Sequence, residues 1–122
     1  TTVDDIRAAV YEYAPQILAI DEAQFFPGIA TYILDELLVR GCVRTVIVAA
    51  LTLNFRGEPF GETLALVPHT NEYLQLIAVC RHCGSEHAMY SHRLVPDTRD
   101  ELIGGAESYA PLCRACFAAA RQ

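Results

Sequence analysis

Four of the five cysteines fall into two CxxC pairs, Cys80-Arg81-His82-Cys83 and Cys113-Arg114-Ala115-Cys116. Each pair can offer two thiolate sulfurs to one ion, and two such knuckles complete the tetrahedron that zinc prefers. A closed set of four thiolates leaves no open position for water or substrate, so a zinc ion there is structural and not catalytic. The other reading is two pairs of buried thiols without metal; the paired spacing favours zinc. Arg81, His82 and Arg114 adjoin the ligands and offset the surplus negative charge that four thiolates leave around a dication. His82 and His87 are candidates to support the ligands from outside, while His69 and His92 read as surface residues. The remaining Cys42 reads as a small buried hydrophobe at a helix end.

A second group is Asp21-Glu22, which follows the apolar run Gln16-Ile17-Leu18-Ala19-Ile20. In open α/β sheets, ligands bind beyond the carboxyl ends of the strands. An aspartate there can hold magnesium through water, and a glutamate beside it can serve as a general base. The same pair also reads as an acidic turn capping the next helix. Phe25, Phe26, Phe55 and Phe60 flank this strand end and the later loop; they can stack on a planar base or serve as ordinary core residues.

The elements that must position these groups are legible from periodicity. Residues 4–13 carry helical spacing and stop at Pro15. The run 16–20 suits a buried parallel strand. Residues 29–40 place Ile29, Tyr32, Ile33, Leu37 and Leu38 on a helical period, with Asp35 and Glu36 outward and Gly41 as the cap. Thr45-Val46-Ile47-Val48-Ala49-Ala50-Leu51 is a second buried strand, so the order is βαβ. Residues 54–61 are loop chemistry, 73–79 are predicted to be a strand entering the first CxxC, 95–105 form a long loop, and 110–121 are predicted to be a short helix. The domains expected are 1–79, an α/β portion, and 80–122, a small metal-stapled module.

The composition, 52% apolar and 20% charged over 122 residues, is that of one globular domain. The net charge of −6 argues against a nonspecific nucleic-acid binder. No apolar run approaches the length of a membrane span, and no basic-then-apolar leader opens the chain, which leads to the expectation of a reducing, cytoplasmic compartment. All nine basic residues are arginine. Without a lysine, the phosphate-binding motif GxxxxGK[ST] cannot lie within these residues.

These pieces together resemble the type II, cytosolic-type thymidine kinases without their N-terminal third. The resemblance is carried by Ile20-Asp21-Glu22-Ala23-Gln24-Phe25-Phe26, Thr45–Leu51, Phe55-Arg56-Gly57-Glu58-Pro59-Phe60-Gly61, Leu76–Cys80 with Cys83, Gly104-Gly105-Ala106-Glu107-Ser108-Tyr109, and Cys113 with Cys116. It implies a P-loop, RecA-like α/β core with a parallel sheet plus a small zinc-binding lasso domain. It implies transfer of the γ-phosphate of ATP to the 5′-hydroxyl of thymidine with magnesium, in nucleoside salvage for DNA synthesis. Glu22 falls on the catalytic base, and Asp21 and Gln24 fall on the cofactor side. Phe25, Leu51, Phe55 and Phe60 fall on the walls of the nucleoside pocket. Ser91 stands where the family usually has threonine near the base, and Arg93 follows it. Residues 95–109 correspond to the lasso loop, with Leu102, Ile103, Gly104 and Tyr109 contacting substrate. Cys80, Cys83, Cys113 and Cys116 are the zinc ligands. Thymidine triphosphate as an end-product ligand and a homotetramer are also implied, with no nucleic-acid or membrane partner.

Two departures accompany the resemblance. The family's P-loop strand, lysine and helix do not lie in these residues, so the chain alone is expected to have no turnover. Thr52 and Asn54 stand where many members carry aspartate. A non-catalytic pseudo-kinase or zinc-ribbon binding module is the alternative. The loop 95–105, poor in large apolar side chains, is expected to take its order from the zinc staple at its ends and from a ligand in its middle.

Overall fold

In the computed structural model, which describes residues 1–99 and 102–121, the chain divides into two compact units. The first holds Thr1–Thr52 and Pro59–Glu72. Thr2 opens α1 (Val3–Tyr13) with a reciprocal cap: its side chain accepts the Asp5 N–H, and the Asp5 carboxylate accepts the Thr2 N–H at 2.7 Å. Ala14 turns left-handed and Pro15 prevents the helix from continuing. β1 (Ile17–Ile20) then pairs in parallel with β2 (Thr45–Val48), Ile17 opposite Thr45 and Ile20 opposite Val48. Between them runs α2, residues 29–40, ended by Gly41 in the left-handed region at φ 62°. Its central turn, Tyr32–Leu37, is π-helical, and it buries Tyr32, Ile33 and Leu37. These side chains join Val10, Ile20, Ile29 and Leu66 in one apolar core.

The βαβ order is as the sequence predicts, but the strands are not buried on both faces. Ile20 turns inward, whereas Ile17 and Ile47 are 62% and 55% exposed. A continuous apolar run matches a strand covered on two sides; among the described residues of this unit, the packed core lies on one side only. Cys42 is exposed, not buried: Val43 takes the inward position next to it.

The second unit comprises residues 53–58 and 73–121. β3 (Ala88–Arg93) and β4 (Tyr109–Cys113) form an antiparallel pair, followed by α3 (Arg114–Ala120). Cys80, Ala88, Leu112 and Phe117 make a small core, and the Tyr90 ring stacks on Phe117 with centroids 4.4 Å apart. Two expectations are corrected here. Residues 73–79 form no strand; a single bridge, Ala78 to Ala88, is the extent of their pairing, and the segment is exposed. Residues 110–113 are strand and not helix, because Ala110 and Leu112 point inward with Pro111 outward, a period of two. The helix begins only at Arg114. No helix among the described residues is long and apolar enough to cross a membrane.

Candidate functional site

At the carboxyl end of β1 the chain makes a sharp turn. Glu22 adopts the left-handed backbone region, φ 52° and ψ 40°, which non-glycine residues seldom occupy and which marks functional sites. The Asp21 carboxylate accepts the Glu22 N–H at 2.9 Å and steadies that turn. The parallel ladder continues past the strands through Ala49 N–H to Ile20 O and Ala23 N–H to Ala49 O, so the turn is fixed to the β2 end. Gln24 is 5% exposed and spends both ends of its amide: Nε2 donates to Glu22 Oε2 at 2.5 Å, and Oε1 accepts the Leu51 N–H at 3.1 Å. Asp21 and Glu22 themselves are exposed. The result is an anionic strand end whose glutamate is oriented from beneath by a buried amide.

Phe25 and Phe60 meet edge to face near this turn, centroids 5.4 Å apart. Gly61 explains how Phe60 comes so close. A Cβ at Gly61 would sit 2.6 Å from the Gln24 carbonyl oxygen, and its φ is +65°. Leu51 is exposed beside the anchored Gln24 amide. Thus the first unit links Phe60 to Phe25 by their rings, and Leu51 to Glu22 through the Gln24 amide.

In the second unit, Asn54 organises the loop that carries Phe55. Its buried Oδ1 accepts the N–H groups of Arg56 and Glu58, and its own N–H donates to Glu58 O at 2.8 Å. The departure from aspartate at this position therefore retains a turn-holding oxygen, the Asx geometry that either residue can supply. Phe55 lies under the Arg93 guanidinium at 3.7 Å from the ring centroid, and Arg56 lies over the same ring at 4.5 Å.

Side chains add anchors to the 95–109 loop besides the thiol cluster at its ends. Asp100 and Glu101 lie outside the described residues. On either side of them, side chains fasten the backbone: Arg93 donates to the carbonyls of Asp97 and Arg99, Arg56 to that of Thr98 and Arg81 to that of Ala106. Tyr109 donates its hydroxyl to Leu102 O at 2.6 Å and accepts from Arg93 at 2.9 Å. Gly104 fits tightly against Ser108, whose Oγ would stand 2.4 Å from an added Cβ. Ile103 is 97% exposed. Ser91, partly buried on β3, pairs in register with Pro111. The arginine anchors leave little trace in the sequence, because their partners are backbone carbonyls; the signal available is the use of arginine at 56, 81 and 93 in a lysine-free chain.

The four cysteines converge. The Sγ atoms of Cys80, Cys83, Cys113 and Cys116 all lie within 4.8 Å of one another, and Cys83 and Cys113 are 3.7 Å apart. Sulfurs placed about 2.3 Å from a zinc ion in a tetrahedron stand about 3.8 Å from each other, so the donor set fits zinc. Gly84, at φ +75°, lets the first knuckle turn back so that its N–H reaches Cys80 O at 2.9 Å. The N–H groups of Cys113 and Cys83 pull the Cys80 thiol down to about 6, whereas hydrogen bonding to Cys113 and burial push Cys116 up to about 12. Crowded thiols resist collecting several negative charges, which a dication relieves. His82 approaches this set, its Nδ1 3.5 Å from Cys116 Sγ; His87 contacts Ser85 through its backbone.

The model of the thymidine kinase family matches residues 1–117. The cytosolic thymidine kinase of Homo sapiens is 43% identical over 101 residues, 83% of this chain and 42% of that protein. The cytosolic thymidine kinase of Gallus gallus is 43% identical over 83% of this chain and 43% of its own length. The thymidine kinase of Variola virus is 37% identical over 117 residues, 96% of this chain and 63% of the viral protein. The chain thus spans between 42% and 63% of the length of these curated relatives.

Proposed function

We propose a function from one premise: the chain belongs to the thymidine kinase family. It is the catalytic-base and thymidine-binding portion of a kinase that transfers the γ-phosphate of ATP to the 5′-hydroxyl of thymidine. The fold it belongs to is a P-loop, RecA-like core with a zinc-stapled lasso domain. The observation that carries the reading is Glu22 at the carboxyl end of β1, held in a left-handed turn with its carboxylate on the buried Gln24 amide. A carboxylate so oriented can take the proton of an alcohol as the alcohol attacks phosphorus. Asp21, exposed beside it, would hold magnesium through water; the ion, when bound, supplies neutralisation of phosphate charge. Gln24 belongs to the same cofactor side through the carboxylate that it orients.

By the family resemblance, Phe25, Leu51, Phe55, Phe60, Ser91, Leu102, Ile103, Gly104 and Tyr109 are the proposed thymidine contacts. Backbone groups of the 102–104 segment offer both donors and acceptors to a pyrimidine edge. Zinc on Cys80, Cys83, Cys113 and Cys116 is structural. The lysine of GxxxxGK[ST] must come from elsewhere in the protein, so these 122 residues alone turn nothing over. The reading brings with it thymidine triphosphate as an end-product ligand, a homotetramer and a cytoplasmic setting. In the protein that carries this chain, Glu22→Gln should retain thymidine binding and lose about 100- to 10,000-fold of the phosphoryl transfer, as loss of a general base does. A variant within a few-fold of the parent would remove Glu22 from the role. If the parent protein binds thymidine and transfers no phosphate, the non-catalytic module is the correct reading.

A further inference from the structure

The geometry points to Arg93 as the positioning residue that fastens Phe55 and the stretches 97–99 and 102–109 in the arrangement that receives the thymine base, an inference that rests on the thymidine kinase reading. Arg93 is a β3 residue only 7% exposed. Its guanidinium lies over Phe55, with Cζ 3.7 Å from the ring centroid. One edge donates to the carbonyls of Asp97, at 2.7 Å, and Arg99; the other donates to the Tyr109 hydroxyl at 2.9 Å. That hydroxyl passes the restraint on by donating to Leu102 O at 2.6 Å. One side chain therefore reaches four points that the functional reading needs in fixed places: an aromatic wall, the carbonyls of Asp97 and Arg99, and the Tyr109 hydroxyl at the start of β4. A planar fork with several donors can do this, and an ammonium cannot, because it neither stacks flat nor spreads its donors in one plane. A loop fixed before ligand arrives spends less of its binding energy on ordering, which appears in substrate affinity and not in the chemical step.

The test uses the whole protein that carries this chain. Limited trypsin digestion reads the anchor directly, because cleavage after Arg99 cuts within the segment that Arg93 holds. Arg93→Ala should speed that cut about tenfold or more, the scale expected when one charge-assisted hydrogen bond is lost. It should raise the KM for thymidine by a similar factor, leave kcat and the KM for ATP within about threefold, and retain the metal. Arg93→Lys should recover part of the loss, and Tyr109→Phe should produce a smaller rise in thymidine KM. Should Arg93→Ala lose its metal or its fold, Arg93→Lys decides: cleavage and thymidine KM equal to the parent's overturn the assignment. Unchanged cleavage in Arg93→Ala overturns it, as does faster cleavage with an unchanged thymidine KM, or a fall in kcat alone. If the parent phosphorylates no nucleoside, the functional reading fails separately, and the Arg99 cleavage rate alone decides whether Arg93 is the anchor.

Discussion

A carboxylate that is to accept a proton must be held still, and Glu22 is held by its left-handed backbone and by Gln24. Gln24 is poised because it is neutral: its amide N–H donates a hydrogen bond to Glu22 while its oxygen accepts one from the Leu51 N–H. Gln24→Glu preserves shape and the oxygen that faces Leu51 but sets a second carboxylate against Glu22. Two like charges at that separation cannot both ionise easily. The acid limb of the rate profile for thymidine phosphorylation should therefore move to higher pH, with little change in the KM for ATP; a profile that does not move separates Gln24 from the reacting group. The Asp21-Glu22 pair was legible at this scale because an apolar run ending in two acids is a strand end with charge on it. Gln24 was legible only as part of a motif, since nothing in a glutamine's sequence neighbourhood says where its two amide ends point. Arg93 was harder still: a buried guanidinium is unusual, and its partners are backbone carbonyls, which sequence does not distinguish.

Among the elements, α1 was readable from its period and from Pro15, and α2 from its period and Gly41; the Thr2–Asp5 cap emerges only in the structure. The β3–β4 pair was not, because its signal, alternation across Ala110, Pro111 and Leu112, runs straight into the apolar period of α3. Residues 73–79 have the composition of a strand without a partner to pair with, and pairing is a property of the fold and not of the segment. What composition alone could not show is the tie between α1 and α2. Arg7 donates to both carboxylate oxygens of Glu36, at 3.0 and 2.6 Å, and lies over the Tyr32 ring. The Arg7 hydrogen bond holds the Glu36 carboxyl below its ordinary value. A group depressed in the folded state stabilises that state above its unfolded value and loses the contribution as pH falls through the depressed one. The protection factors of α1 amides, exchange rates divided into their intrinsic values at each pH, should accordingly be unchanged from pH 7 to about pH 5 and fall below about pH 4, the ordinary carboxylate range. Glu36→Gln should show the faster exchange already at neutral pH and flatten the acid response; an acid response of unchanged size would place its origin elsewhere.

At the scale of the molecule, the two units have separate cores of different kinds. The first rests on aliphatic side chains from α1, β1 and α2. The second is small, and two of its packed groups, Cys113 and Cys116, belong with Cys80 to the thiol cluster. A core this small gains little from burial alone and needs a staple, and four thiols within 4.8 Å can supply one through a metal. Metal binding energy there is folding energy. Ala88, Leu112 and Phe117 should exchange or open early when a chelator is added, while amides of α1 and α2 remain protected under the same conditions. Cys113→Ser should reproduce the effect without chelator, because a hydroxyl is a poor substitute for a thiolate ligand. A carefully reduced, folded sample should hold about one equivalent of zinc. Loss that spreads equally through α2 would show that the metal's effect is not confined to the second unit, and protection at Phe117 that survives complete metal removal would show that the second unit is not held by its metal. The Tyr90–Phe117 stack would then have to carry it unaided.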